Sequence, residues 1–282
     1  MHVATDVRVL IPLLLAASTG AGLLGALTGL GGGVVIVPLL TLAFGINIRY
    51  AIGASLISVI ATSSGAAAAY VREGYTNIRA AMLLEVATTC GALAGAHLAS
   101  SVRTGTIAIV FGVVLAVTAA LSLRRRPRAA PAQADRLASR LRLDGSYPAA
   151  GGEREPYHVR RVPLGFGLMF VAGGLSGLLG IGSGAVKVLA MDDAMGLPFK
   201  VATTTSNFMI GVTAAASAGT YLSHGYIDPT LACPVMLGVL AGALLGARLL
   251  RAASVFALRV LFAAVVLALG VEMILGGISG RL

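Results

Sequence analysis

Gly29-Leu30-Gly31-Gly32-Gly33 stands inside an apolar run and returns 151 positions later as Gly180-Ile181-Gly182-Ser183-Gly184. Laid together without a gap, residues 21–99 and 172–250 are identical at 25 of 79 positions. The matches include Gly45/Gly196, Ser55/Ser206, Thr62/Thr213, Tyr70/Tyr221 and Gly74-Tyr75/Gly225-Tyr226. They end in Gly91-Ala92-Leu93-x-Gly95-Ala96 against Gly242-Ala243-Leu244-x-Gly246-Ala247. A duplicated hydrophobic half with glycines interrupting one segment is how many secondary transporters build a substrate site.

Composition places the chain in a membrane. Of 282 residues, 57% are apolar and 11% charged, the mean hydropathy is +0.91, and several stretches run about 20 residues without a charge, enough to cross a ~30 Å hydrocarbon core. Tryptophan is absent, so any interfacial belt falls to tyrosine and arginine. Cys90 and Cys233 lie in hydrophobic segments without CxxC or histidine company, which disfavours disulfide and zinc readings and leaves them as small packing residues. The first run is not read as a cleaved leader: Asp6 flanks it beside Arg8, it is long, and Ala21 to Gly45 belongs to the repeat.

The hydrophobic segments read as 7–29, 34–45, 50–70, 77–101 and 104–123, then 162–180, 185–197, 201–222, 229–250 and 254–277. This makes a first transmembrane repeat over 1–123, a linker over 124–161 and a second repeat over 162–282. The linker holds ten arginines against Asp135, Asp144, Glu153 and Glu155, with four prolines and Gly151-Gly152. It reads as a basic cytoplasmic loop, partly disordered and able to touch anionic lipid, rather than as a nucleic-acid arm. Val7 to Gly45 is 39 residues, about 58 Å as one helix, so the chain must break or turn near Gly29–Gly33, and again near Gly180–Gly184.

The expected fold is therefore an all-α polytopic membrane protein with glycine-broken helices in two homologous halves. Two topologies are open: five plus five segments as inverted repeats, or four plus four as parallel repeats. With the linker inside, the inverted arrangement puts Arg72, Arg79, Lys200, Arg248, Arg251 and Arg259 inside and Arg8, Arg49, Arg103 and Arg281 outside. The parallel arrangement reverses that tally, so the positive-inside rule favours inversion. Segments 34–45 and 185–197 are half a span long and are expected to be re-entrant or partly unwound against a cavity.

Gly91-x3-Gly95 and Gly242-x3-Gly246 read as close helix packing. Three glycines in five residues weaken a helix by about 1 kcal/mol each. A break at Gly31, Gly32 and Gly33, and at Gly182, Ser183 and Gly184, would present amide N–H groups and the positive end of the next short helix to an anion. No βαβ unit surrounds these glycines, which removes a dinucleotide reading. Lys187 lies one turn past the second break, where the first repeat has Ile36. A lysine in an apolar segment marks function or a buried partner, the alternative being a snorkel to the interface. Thr203, Thr204, Ser206 and Asn207 open the next helix as neutral donors, with Ser55 matching Ser206; membrane hydroxyls also bond back to their own helix. Glu85, opposite Met236 in the repeat, is a candidate to carry a coupled proton or to pair with a cation. His97 reads as interfacial and Asp192-Asp193 as solvated. Within the spans no His/Glu metal motif or Ser/His pairing occurs, so neither enzyme chemistry, a metal nor a cofactor is expected.

The pattern Gly-x-Gly-Gly-Gly-x-x-x-x-Pro at Gly29–Pro38 resembles the TauE/SafE family of membrane permeases. So does Gly-Ile-Gly-Ser-Gly-Ala-Val-Lys-Val, followed by Met-Gly-Leu-Pro-x-Lys-Val-Ala-Thr-Thr-Thr-Ser, over Gly180–Ser206. The resemblance covers about 21–120 and 165–275. It departs where Leu189 replaces the proline given by Pro38, where Ser183 interrupts the triple glycine, and in the 38-residue linker. It implies a multi-pass exporter of sulfite, sulfonates or related sulfur-containing anions in the inner (cytoplasmic) membrane, monomeric or homodimeric. The partners would be a small anionic substrate, the lipid bilayer and a coupling proton. Uptake or channel-like flow of another anion is the alternative in the same class, and a membrane assembly factor the alternative in another.

Overall fold

The stretch too long for one helix is divided. The computed structural model describes residues 7–28, 33–72, 74–123, 135–148, 154–249 and 255–281. In it α1 (Val7–Thr28) precedes α2 (Gly33–Pro38), which runs on into a π-helical turn, Leu39–Ala43. Then come α3 (Ile48–Arg72), α4 (Ile78–Ser101) and α5 (Thr104–Leu123). The second half repeats the order: α7 (Val162–Leu179), α8 (Gly184–Leu189) with its π-turn Ala190–Ala194, α9 (Phe199–Ser223), α10 (Pro229–Leu249) and α11 (Val255–Ile278). Among the described residues, Ile78–Ser101, Val162–Leu179 and Pro229–Gly246 are long and apolar enough to cross a membrane. The chain is mostly helical, as its apolarity and the need to satisfy every backbone group inside lipid require.

Helices pack across the halves in matched pairs. α1 lies on α10 and α4 on α7; α3 lies on α9 and α5 on α11; α4 also meets α9, as α10 meets α3. The 151-residue shift carries α1–α10 onto α7–α4 and α4–α9 onto α10–α3, and maps α3–α9 and α5–α11 onto themselves with their members exchanged. Equivalent backbone turns recur as well, since Gly45 and Gly196, and Gly74 and Gly225, all have positive φ.

Glycine lets the paired helices approach to backbone contact. A Cβ on Gly91 would fall on Phe170 O, on Gly95 on Gly174 O, on Gly173 on Thr88 O, and on Gly177 on Ala92 O. The α1–α10 pair repeats this, with Gly22 against Val239 O and Gly242 against Thr19 O. Lipid is as apolar as leucine, so such contacts depend on close van der Waals approach rather than on exclusion of water. The outer faces carry exposed Met82, Val86 and Leu98 on α4, Phe170 and Val171 on α7, and Leu244 on α10. Cys90 and Cys233 are also exposed, so neither packs in the interior as the sequence suggested.

The linker is more ordered than its composition implies. Its described part forms α6 (Arg136–Arg140) and an antiparallel hairpin, β1 (Gly145–Pro148) with β2 (Arg154–Tyr157), Gly145 opposite Tyr157. Ala138, Leu143, Tyr157 and Val159 join Val162, Met191, Met195 and Leu197 in one apolar cluster. Polar bonds fix the docking: Asn77 Nδ2 donates to Leu143 O at 2.7 Å and to Tyr157 Oη at 2.8 Å, and Arg160 N donates to Met195 O at 2.9 Å. Burial pushes the Tyr157 phenol above its ordinary range. The arginine run Arg124–Arg128 lies outside the described residues.

Candidate functional site

The second break is built from left-handed backbone. Gly180 (φ +67), Gly182 (φ +71) and Ser183 (φ +47) turn the chain between α7 and α8. Two of the three are glycine, which adopts this region freely, whereas serine does so at a strain. Ser183 Oγ donates to Ala172 O at 2.5 Å, back on α7, and Ser183 O accepts from Lys187 N at 3.0 Å. Gly29 to Gly32 lie outside the described residues, so Gly31 and Gly32 have no structural account.

Gly33, the last residue of the first break, lies against the second. A Cβ there would come within 2.9 Å of Ser55 Oγ and 3.1 Å of Gly180 O, while Ser55 itself donates to Gly180 O at 2.8 Å. Ser206 donates to Gly184 O at 3.3 Å. Both serines, kept in each repeat, are buried and tie α3 and α9 to the second break. Thr203 and Thr204 are spent within α9, bonding back to Phe199 O at 2.8 Å and Lys200 O at 3.0 Å. Asn207 is half-buried.

Lys187 does not snorkel. It is 0% exposed, and its Nζ donates to Thr213 Oγ1 at 2.6 Å. The same hydroxyl lies 2.7 Å from Glu85 Oε1. Thr89 Oγ1 donates to that carboxylate oxygen at 3.2 Å, and Thr88 Oγ1 stands 3.5 Å from the Thr213 hydroxyl. Glu85 Oε2 is buried without a hydrogen-bond partner. Three elements therefore converge on one threonine: α8 brings a cation, α4 a carboxylate and α9 the hydroxyl between them. The charges are consistent with each other, because a buried charge is tolerable only when paired.

Thr213 was not among the expected site residues, although its match to Thr62 marked it. Seven residues separate it from Ser206, two helical turns along one face. The shift carries Lys187 to Ile36 and Glu85 to Met236, and Thr62, the counterpart of Thr213, bonds back to Ser58 O at 3.0 Å and Val59 O at 3.2 Å. His97 and Asp193 are exposed, as expected of peripheral groups, and Asp192 is half-buried.

A second pair of contacts crosses between the halves. Arg49 lies over the Tyr226 ring at 5.4 Å and donates to its hydroxyl at 3.1 Å. Lys200, the residue equivalent to Arg49, lies over Tyr75, equivalent to Tyr226, at 5.6 Å. Each cation–π contact thus takes its cation from one half and its ring from the other.

Duplicated apolar helices, small-residue packing and a buried charge pair beside a glycine break define a helical membrane protein of the transporter class. The chain belongs to the sulfite exporter TauE/SafE family, matching it over residues 14–273. It is 28% identical over 265 residues to a probable membrane transporter protein, YunE, of Bacillus subtilis (strain 168), covering 92% of this chain and 95% of that one. It is 27% identical over 259 residues to a probable membrane transporter protein of Xylella fastidiosa (strain 9a5c), covering 90% and 92%. A third relative, YdhB of Bacillus subtilis, is 26% identical over 227 residues, covering 80% and 85%. No solved structure matches. The family is one of membrane transporters rather than enzymes.

Proposed function

We propose that this protein exports a small sulfur-containing oxyanion, such as sulfite or a sulfonate, across the cytoplasmic membrane by alternating access. The observation that carries this reading is Lys187, fully buried one turn beyond a glycine break that the other break approaches. Its ammonium supplies a full positive charge in a low-dielectric interior, where charge attracts an anion far more strongly than in water. Amides at Gly182, Ser183 and Gly184, with the Ser55 and Ser206 hydroxyls, would surround the ion, and Gly31, Gly32 and Gly33 would complete the cavity from the first half. Thr203 and Thr204 contribute less, being satisfied within their own helix, whereas Asn207 offers a further donor. Glu85 is the proton-coupling residue.

In this reading each half contributes five segments and the halves are inverted. Positive-inside counting supports it, as does the exchange of members in the Arg49–Tyr226 and Lys200–Tyr75 contacts. Reporter tags in 124–161 and at the C-terminus test the topology, because inversion demands opposite sides. The transport test is flux of sulfite, taurine and methanesulfonate in proteoliposomes against chloride. Wild type is expected to carry at least one sulfur oxyanion in preference to chloride, and a folded Lys187→Ile/Glu85→Met variant to carry none. Undiminished flux through that variant removes the site from this place.

A further inference from the structure

Glu85 already fills the role an anion would take at Lys187. Its Oε1 reaches the lysine through the Thr213 hydroxyl, by bonds of 2.7 and 2.6 Å, and its Oε2 is buried and unpartnered. A hydroxyl has one proton to give, so a Thr213 that accepts from Lys187 can donate to Glu85, to Met209 O at 2.9 Å or to Thr88 at 3.5 Å, but to only one of them at a time. The bridge is therefore replaceable. An incoming oxyanion could take both the ammonium and the hydroxyl, provided that Glu85 lets go.

Among the described residues, the helices packed here bring no other cation to the middle of the bundle. α7, packed on α4, has no titratable side chain between Val162 and Leu179; α9 carries Lys200 and Tyr221 near its two ends; α8 carries Lys187; and Asp192 and Asp193 follow on the π-turn. On α4 itself Arg79 is at the start and His97 near the end. Two anions beside one buried cation would leave a net negative charge in the protein interior, which is expensive unless one is neutralised. The duplicated position carries neither charge: Ile36 and Met236 stand in their places, and Thr62 remains.

Building on the reading of Lys187 as the anion anchor, we propose that Glu85 and the transported anion compete for Lys187 and Thr213. Each anion then moves only with one proton on Glu85. When the site is empty the carboxylate is the counter-ion. When the anion binds, Glu85 Oε2 takes a proton from the side facing the open cavity, and it returns that proton to solution on the side where the anion leaves. The consequence is stoichiometric: one proton accompanies each monovalent anion, so transport is electroneutral, and export runs down the anion's own outward concentration gradient, against an inward proton gradient rather than powered by it.

The test uses the full chain in proteoliposomes with [35S]sulfite and, in parallel, methanesulfonate, whose charge is constant over the working range. Wild type is expected to accumulate the anion in the alkaline compartment by about tenfold per pH unit imposed, the energy of a 1:1 co-transport with a proton, with no response to voltage. Glu85→Gln should lose the response to the pH gradient at whatever rate of downhill flux it retains; it shares the probe's own ionisation, so the difference belongs to the protein. In detergent, the shift in melting temperature caused by added methanesulfonate should grow on acidification in wild type and be constant with pH in Glu85→Gln. Wild-type flux indifferent to the pH gradient, or a gradient response retained by Glu85→Gln, overturns the coupling while leaving transport intact. Failure of both anions to move at all removes the transport reading itself and the coupling with it. If Glu85→Gln is not monodisperse, the melting shift is read from Lys187→Ile/Glu85→Met, which should show none at any pH.

Discussion

Removing one member of the Lys187–Glu85 pair should destabilise the protein far more than removing both. The two charges are held by bonds of 2.6 and 2.7 Å to one oxygen, so Nζ and Oε1 stand no more than 5.3 Å apart. At an effective dielectric near 20, opposite unit charges at ~5 Å attract by about 3 kcal/mol. Lys187→Ile strands a carboxylate that already has one unpartnered oxygen, and Glu85→Met strands a fully buried ammonium. Each is expected to cost about 3–5 kcal/mol. The double variant reproduces Ile36 and Met236 of the other repeat, so it should lie within about 1 kcal/mol of wild type, giving a coupling energy of several kcal/mol. Reversible SDS unfolding of the four proteins completes the cycle. Single variants as stable as wild type, or a double variant whose loss equals the sum of the singles, would refute the pairing. Because the double variant is expected to fold, it also separates loss of transport from loss of structure.

Gly177→Ala and Gly242→Ala should each weaken the fold by about 1–3 kcal/mol or more, because the added methyl falls on Ala92 O and Thr19 O. Gly167→Ala, with open space around it, should gain up to about 1 kcal/mol by helix propensity; SDS unfolding reads all three. Asp228 starts α10, its Oδ1 accepting from Thr230 N at 2.8 Å and Thr230 Oγ1 at 2.7 Å, and these bonds hold its carboxyl below the usual value of 3.8. Its contribution is therefore present above pH 4 and lost as pH falls further. Asp228→Asn should flatten that acid-side loss in a pH series of melting curves. Asn77→Ala removes both the α4 cap, in which Oδ1 accepts from Ala80 N at 3.0 Å, and the two linker bonds. Trypsin should then cut the hairpin at Arg154 several-fold faster than in wild type, with the bundle itself intact.

The sequence carried the segment pattern because length and glycine are local signals. Val7–Gly45 is too long for one helix wherever it folds, and the break falls where three glycines make it easiest. Lys187 was conspicuous for the same reason, as a charge among apolar neighbours. What it touches was not legible. Thr213 and Glu85 are separated by 128 residues and Asn77 and Tyr157 by 80, and no periodicity reports contacts of that kind. The docking of the linker's described part was hidden because ten arginines outweigh the few apolar residues, Leu143, Tyr157 and Val159 among them, that hold it. Cys90 and Cys233 misled for a membrane-specific reason: lipid is as apolar as the core, so hydrophobicity does not say which face of a helix turns inward. The threonines of α9 divide on geometry alone, since Thr203 and Thr204 bond back to the preceding turn whereas Thr213 reaches across to another helix.

The two halves retain the same contacts but secure them differently. At Arg49 the guanidinium supplements its hold on Tyr226 with bonds to Ser100 O at 3.1 Å and Val102 O at 2.9 Å, fastening α3 to the end of α4 and the turn into α5. At the duplicated position Lys200 is exposed and lies over the Tyr75 ring. Beside it, Thr205 Oγ1 accepts from Asn77 N at 3.0 Å, Asn77 holds the linker, and the linker holds Met195. A planar five-donor group can staple three partners at once, as an ammonium on a flexible stem does less well. Where lysine stands in place of arginine, the linker supplies a restraint of its own. Divergence after duplication has thus left one end fastened by a side chain and the other by a docked hairpin. The single buried charge pair sits in only one of the two equivalent interiors. Under the proposed alternating-access cycle, ends that open in turn gain from being unequal, since identical latches would leave no preferred resting state.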